Sequence, residues 1–147
     1  MIKKSLIAVV SIASCVVLFL NCKNDKDLSV VSSDDAQNLK TSIARGKAVY
    51  NDFCVSCHLP NGMGVKRTYP PLAGSDYLQN KQEESIKGIK FGMKGEITVN
   101  GQTYNNVMAP MGLADDEVAD VMNYINHSWG NDFGEMVTEA EVSKIKK

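Results

Sequence analysis

The chain has 147 residues, with 16 Lys and Arg against 17 Asp and Glu, a net charge of −1. That balance excludes a nucleic-acid binder driven by bulk positive charge. Hydrophobic residues make up 44% and charged residues 22%, which excludes wholesale disorder, and the length suits one domain.

Lys3 and Lys4 precede an uncharged run from Ser5 to Cys22, after which polar residues return abruptly at Lys23. Residues 1–22 therefore read as a secretory leader. The run also reaches the lower limit for a membrane-spanning helix, so an uncleaved N-terminal helix anchor is the alternative. Both readings put Lys3 and Lys4 on the cytoplasmic side and the rest across the membrane. Phe19-Leu20-Asn21-Cys22 resembles a bacterial lipoprotein box, in which the Cys is acylated and becomes the new N-terminus. Ile12-Ala13-Ser14-Cys15 fits the box better letter by letter, but cleavage there would leave Val16 to Leu20 exposed. Cys22 is the expected lipidation site, and acyl chains at about 0.8 kcal/mol per buried CH₂ would hold the protein on a membrane. Residues 23–41, rich in Ser, Asp, Asn and Lys, read as a flexible tether.

Ile43, Gly46, Tyr50, Phe53/Cys54 and Cys57 recur at helical spacing and predict a helix from about Ser42 to Cys57. Gly46 costs about 1 kcal/mol relative to Ala inside a helix; such a Gly often lets a second helix come close. Residues 58–74 hold three Gly and three Pro and predict a long loop, which in a compact domain is usually functional. Ser75 or Asp76 is placed to cap a short turn. Asn80, with Glu83 three residues on, is placed to cap a helix that runs to Phe91 and ends at Gly92. Ile97 to Tyr104, centred on Asn100-Gly101, predicts a β-hairpin with a type I′ turn. The last strong helix runs from about Asp115 to Ser128. Val118, Val121, Met122, Ile125 and Trp129 form its apolar stripe, and Asp115, Asp116 and Glu117 sit in its first turn, where the dipole favours anions. Beyond Gly130, residues 131–147 form a C-terminal extension in which Thr138 and Glu141 have capping-box spacing for a short helix. The fold is thus expected to be mostly α with one small hairpin. Few long helices are available to bury apolar surface, so the domain at 42–130 needs something further to build its core around.

Cys54-Val55-Ser56-Cys57-His58 is the C-x-x-C-H pattern of covalent c-type haem attachment. Cys54 and Cys57, one helical turn apart, face one side and can both add to the haem vinyl groups, and His58 follows to reach the iron. Rival readings of C-x-x-C fare worse. A thioredoxin-like pair expects a preceding strand, and none is predicted. A structural zinc site needs four ligands, and Cys54, Cys57 and His58 supply three. A disulfide within one helical turn is sterically poor and leaves His58 unexplained.

From Thr41 to Gly130 the chain resembles a class I cytochrome c domain. The matching stretches are Arg45 to Tyr50, the C-V-S-C-H core, Asn61-Gly62-Met63-Gly64, Tyr69 to Gly74, Lys94 to Gly101, Tyr104 to Met108, and Leu113 through Tyr124 to Trp129-Gly130. The resemblance implies a cytochrome c-like fold, several short helices wrapped around one covalent haem c. It implies a distal Met as second axial ligand. Met108 aligns with that Met, and Met111 with a position that is often aromatic. It also implies that the Pro70 carbonyl accepts from the other ring N–H of His58, that Leu72 presses on the haem face, and that Gly46 and Tyr50 meet the last helix at Tyr124. Met63, Met93, Met122 and Met136 read as packing or surface residues, and His127 as solvated or hydrogen-bonded. Where relatives often carry a capping Ser, this chain has Ala114, leaving Asp115 as the possible cap. Ala109 stands where a Pro is usual.

Ligation of this kind implies a one-electron carrier, exchanging electrons with redox-protein donors and acceptors such as a membrane-bound oxidase or dehydrogenase, and the leader with Cys22 places it on the periplasmic side of a bacterial membrane, lipid-anchored. The iron-bearing metal site would be His58 and Met108, with Cys54, Cys57, Pro70 and Leu72 holding the cofactor. A ligand-binding haem protein and a dedicated cytochrome subunit of a larger oxidoreductase are the competing readings. Nothing points to a catalytic residue or to nucleic acid.

Overall fold

A computed structural model describes residues 33–147. The leader, Cys15, Cys22 and the first part of the predicted tether lie outside the described residues.

Helix α1 spans Ser33–Phe53, so it begins well before Ser42. Residues 33–41 lack Gly and Pro, and Asp34 and Asp35 in the first turn complement the helix dipole. Once the packed half of the helix is nucleated, extension outward adds a hydrogen bond per residue at little cost. The polar composition that suggested a flexible segment reports instead a solvated helical surface, exposed from Asp34 to Asn38. At its other end α1 stops at Phe53 rather than running through Cys57. A separate turn, α2 (Val55–His58), continues it, with the Cys54 carbonyl accepting from both Cys57 and His58 N–H at 3.2 and 3.0 Å.

The loop after His58 closes on itself. Val65 and Tyr69 form an isolated bridge, and Gly62 O accepts from Leu72 N–H at 2.7 Å and Ala73 N–H at 3.0 Å. Ser75 is the cap of α3 (Asp76–Asn80), its hydroxyl accepting from Leu78 N–H. Asn80 does not cap the next helix. It ends α3, donating its amide to Asp76 O at 2.8 Å, and α4 (Gln82–Phe91) starts after Lys81 without a side-chain cap. Gly92, at φ 80°, ends α4.

Strands β1 (Ile97–Val99) and β2 (Gln102–Tyr104) pair antiparallel, with Ile97 opposite Tyr104 and Val99 opposite Gln102. Asn100 and Gly101, at φ 50° and 73°, supply the left-handed pair that a type I′ turn requires. The same Asn100 fastens the hairpin to α3: its N–H donates to Asp76 Oδ1 at 2.7 Å and its amide donates to Gly74 O at 3.1 Å.

Helix α5 (Asp115–Asn126) buries Val118, Val121, Met122 and Ile125 and crosses α1. It ends two residues short of Ser128 because Asn131 turns back and donates its side-chain amide to Ile125 O at 2.8 Å. The C-terminal extension folds onto α5. Thr138 and Glu141 form the expected capping box at the start of α6 (Glu139–Lys144), and Val137 and Val142 are fully buried. A buried polar chain joins these parts: Ser42 Oγ donates to Asp120 Oδ1 at 2.7 Å, and Asn123 donates to Ser42 Oγ and to Val137 O, both at 2.8 Å. Lys90 links α4 to both neighbours, pairing with Asp115 at 2.7 Å and donating to Val142 O at 3.0 Å. Among the described residues no helix is long and apolar enough to cross a membrane.

Candidate functional site

The crossing of α1 and α5 sets where the site opens. A Cβ on Gly46 would fall on the Asp120 backbone carbonyl and 2.9 Å from Tyr124 Cβ; the absent side chain is what lets the helices touch. One to two turns on, Tyr50, Tyr124 and Trp129 pack as a ring trio with centroids 5.2–5.5 Å apart. The fully buried Tyr50 donates to Leu59 O at 2.7 Å, and Trp129 Nε1 donates to Pro60 O at 3.0 Å. Both bonds pin the chain immediately after His58.

The far side of this crossing is a cleft of about 860 Å³, its open mouth included. It is lined by Cys54, Cys57 and His58, by Pro70 to Leu72, by Leu78, Ile89 and the hairpin residues Ile97 and Val99, and by Met108 and Met111. The predicted residues Cys54, Cys57 and His58, Pro70 and Leu72, and Met108 therefore border one cleft from three separate segments of chain.

Within the cleft, His58 Nδ1 lies 3.0 Å from Pro70 O. A carbonyl only accepts, so Nδ1 carries the proton and the neutral ring keeps its lone pair on Nε2. Burial pushes the His58 pKa below its ordinary value, and the Pro70 bond opposes that only in part, so the imidazole is neutral at neutral pH. Gly64 makes the bond possible. Its φ is +59°, and a Cβ there would meet Pro70 O at 2.5 Å. Cys54 and Cys57 are half-buried and form no disulfide, so both sulfurs are available to the haem vinyl groups. Leu72 is held by Gly62 O on one side and by Asn131, which donates to Leu72 O at 3.0 Å, on the other.

Met108 is fixed by its backbone. It exchanges two hydrogen bonds with Met93, at 2.8 and 2.9 Å. Gly92, next to that bridge, has no room for a side chain: a Cβ would sit 2.9 Å from Met108 O and 2.8 Å from Pro110 Cδ. Met63 is exposed and Met122 fully buried in the core, both away from the cleft. His127 closes α5 with Nδ1 3.9 Å from Asp132, and it is not part of the cleft wall.

Some of the lining was not legible beforehand. Ser85 and Gly88 on α4, and Ile97 and Val99 on β1, border the cleft. The spacing of two small residues one turn apart, and of two β-branched residues two apart, is the signal for such a face, but it becomes specific only once a large cofactor is known to need the room. The donor set and the lining fit a porphyrin: paired cysteines, one neutral imidazole, methionine thioethers in the same cleft, and an almost wholly apolar lining. Among the described residues no group of three or more His, Cys, Asp or Glu side chains could hold a bare metal ion.

A model of the family "Cytochrome c" matches residues 43–129. The chain belongs to the cytochrome c family. It is a class I cytochrome c carrying a covalently bound c-type haem, and its role is electron transfer. Cytochrome c-552 of Thermus thermophilus is 38% identical over 93 residues, covering 60% of this cytochrome and 70% of that protein. The cytochrome c subunit of the quinone alcohol dehydrogenase of Gluconobacter oxydans is 31% identical over 105 residues, 69% of this chain but 22% of that subunit. The cbb3-type cytochrome c oxidase subunit FixP of Bradyrhizobium diazoefficiens is 32% identical over 103 residues, 67% of this chain and 34% of that subunit. The cytochrome thus corresponds to a minor part of the two longer subunits.

Proposed function

We propose that this cytochrome is a one-electron carrier with His58 and Met108 as axial ligands, tethered by an acylated Cys22 to the periplasmic face of a bacterial membrane. In this reading residues 1–22 are its leader, 23–41 the tether, whose last part is the start of α1, 42–130 the electron-transfer domain and 131–147 a C-terminal extension. The cofactor supplies a reversible Fe(II)/Fe(III) couple. Cys54 and Cys57 fasten it to the α1–α2 corner, His58 offers Nε2, and Pro70 holds that ring in one tautomer and makes it a better donor. Met108 offers a thioether, which favours Fe(II) and raises the potential relative to a second imidazole. Leu72, Ile89 and Val99 keep water from the cleft.

The observation that carries this reading is the convergence of Cys54, Cys57 and His58 with a backbone-clamped Met108 in one apolar cleft. With both axial positions filled by side chains there is no place for a substrate, which disfavours a gas sensor and suits transfer to redox-protein donors and acceptors. The names of the relatives from Gluconobacter and Bradyrhizobium favour a dehydrogenase or a terminal oxidase as the partner class.

Proton NMR of the reduced, diamagnetic protein tests the ligand assignment. The porphyrin ring current should shift one methionine methyl signal far upfield, and residue-specific assignment should give Met108. An upfield methyl on another residue, or none together with ready carbon monoxide binding, would contradict it. Palmitate labelling abolished by Cys22→Ala checks the anchor.

A further inference from the structure

Three methionines border the cleft, Met93, Met108 and Met111, although one sulfur is enough to fill a single axial position. Met93 and Met111 are held differently. Met93 turns its methyl onto α4: a Cβ on Gly88 would lie only 2.7 Å from Met93 Cε, so that side chain is used in packing. Met111 follows Pro110 and precedes Gly112, which has φ +73° and no atom within 4 Å of where its Cβ would be. Met111 is only half-buried and is hinged on its C-terminal side by a glycine in open space.

We infer that Met111 is a reserve axial ligand, a second thioether that takes the sixth position whenever the Met108 sulfur leaves it. The inference rests on Met108 being the resident ligand. It adds what happens when that bond opens. The exchange moves no electron and no proton: the Met111 sulfur donates a lone pair as the Met108 sulfur withdraws one. Met108 remains clamped to Met93 through its backbone, so the three-residue link keeps the Met111 sulfur next to the cleft. A short tether of this kind holds a group at millimolar or higher effective concentration, enough to compete with water, a poor ligand for Fe(II). Methionine suits the task, because three rotatable bonds let its sulfur reach over a range of positions. The consequence is a cytochrome that stays low-spin and closed to small ligands through transient loss of its Met108 bond.

Site-directed variants of the full-length holoprotein test this, with haem content confirmed by intact mass. The readouts are the weak near-infrared sulfur-to-iron absorption of the oxidised form and carbon monoxide binding by the reduced form. Met108→Ala is expected to keep the near-infrared band and to bind carbon monoxide slowly. Met108→Ala combined with Met111→Ala is expected to lose the band and bind carbon monoxide at once, whereas Met111→Ala alone keeps the band, from Met108, but binds carbon monoxide faster than the wild type because transient loss of the Met108 bond is no longer covered. Met108→Leu, which preserves the side-chain volume, repeats the first arm without opening a cavity. Loss of the band in Met108→Ala and Met108→Leu, with Met111 present, would overturn the reserve role and leave Met108 as resident ligand. Loss of the band in Met111→Ala alone would overturn the Met108 assignment itself. A band that survives in the double variant would place the sulfur elsewhere and overturn both.

Discussion

His58 shows how a single side chain is prepared for its task by groups around it. The Pro70 carbonyl at 3.0 Å selects the tautomer, and Gly64 clears the space for that carbonyl. Gly64→Ala is therefore expected to do two things. The left-handed backbone at φ +59° costs an alanine about 1–2 kcal/mol, lowering the denaturation midpoint. The new methyl also pushes Pro70 O away from His58, weakening the donor and raising the reduction potential, which potentiometric titration reads. A variant with unchanged stability and potential would mean that the loop has slack.

Among elements, the α1–α5 crossing and the start of α5 make opposite demands on small residues. At position 46 the nearest obstacle is the Asp120 backbone carbonyl, which cannot rotate aside. Gly46→Ala improves intrinsic helix propensity by about 1 kcal/mol, yet overpacking at such a contact costs about 1–3 kcal/mol. The net expectation is destabilisation in equilibrium denaturation, with a gain in stability as the contrary result. Ala114 is the reverse case. It stands at the N-cap of α5 with extended backbone and no side-chain acceptor, while Asp115 sits one residue inside the helix, its carboxylate committed to Lys90. Half of a capping box is already built, since Glu117 accepts from Ala114 N–H at 2.9 Å. Ala114→Ser should complete it and raise stability by about 0.5–2 kcal/mol. A melting curve with no gain would show that the free N–H groups are already satisfied.

Across the whole molecule, what could be read from the sequence was what short-range rules govern. Asn100-Gly101 specified the hairpin, Thr138 and Glu141 specified the terminal capping box, and the C-x-x-C-H spacing specified the attachment chemistry, because each depends on residues a few positions apart. Gly46 was legible as a close approach, but its partner Tyr124 came only through family resemblance. Boundaries decided by distant contacts were not legible. The start of α1 at Ser33 follows from a helix propagating out of its packed half, the end of α5 from Asn131 folding back, and the Lys81 junction from a junction between α3 and α4 that Asn80 alone does not reveal. Part of the cleft lining was hidden for the same reason, since Ser85, Gly88, Ile97 and Val99 acquire meaning only when distant segments meet. The cleft they leave is one apolar space that takes a bound porphyrin as its core. The most direct test is the intact mass and visible spectrum of the denatured protein, purified from cells competent in cytochrome c maturation and washed with acidified acetone. The expected result is a chain heavier by one haem, with a c-type reduced pyridine spectrum, and loss of both in Cys54→Ser combined with Cys57→Ser. A wild-type chain at its unmodified mass, or haem that extracts into the solvent, would contradict it.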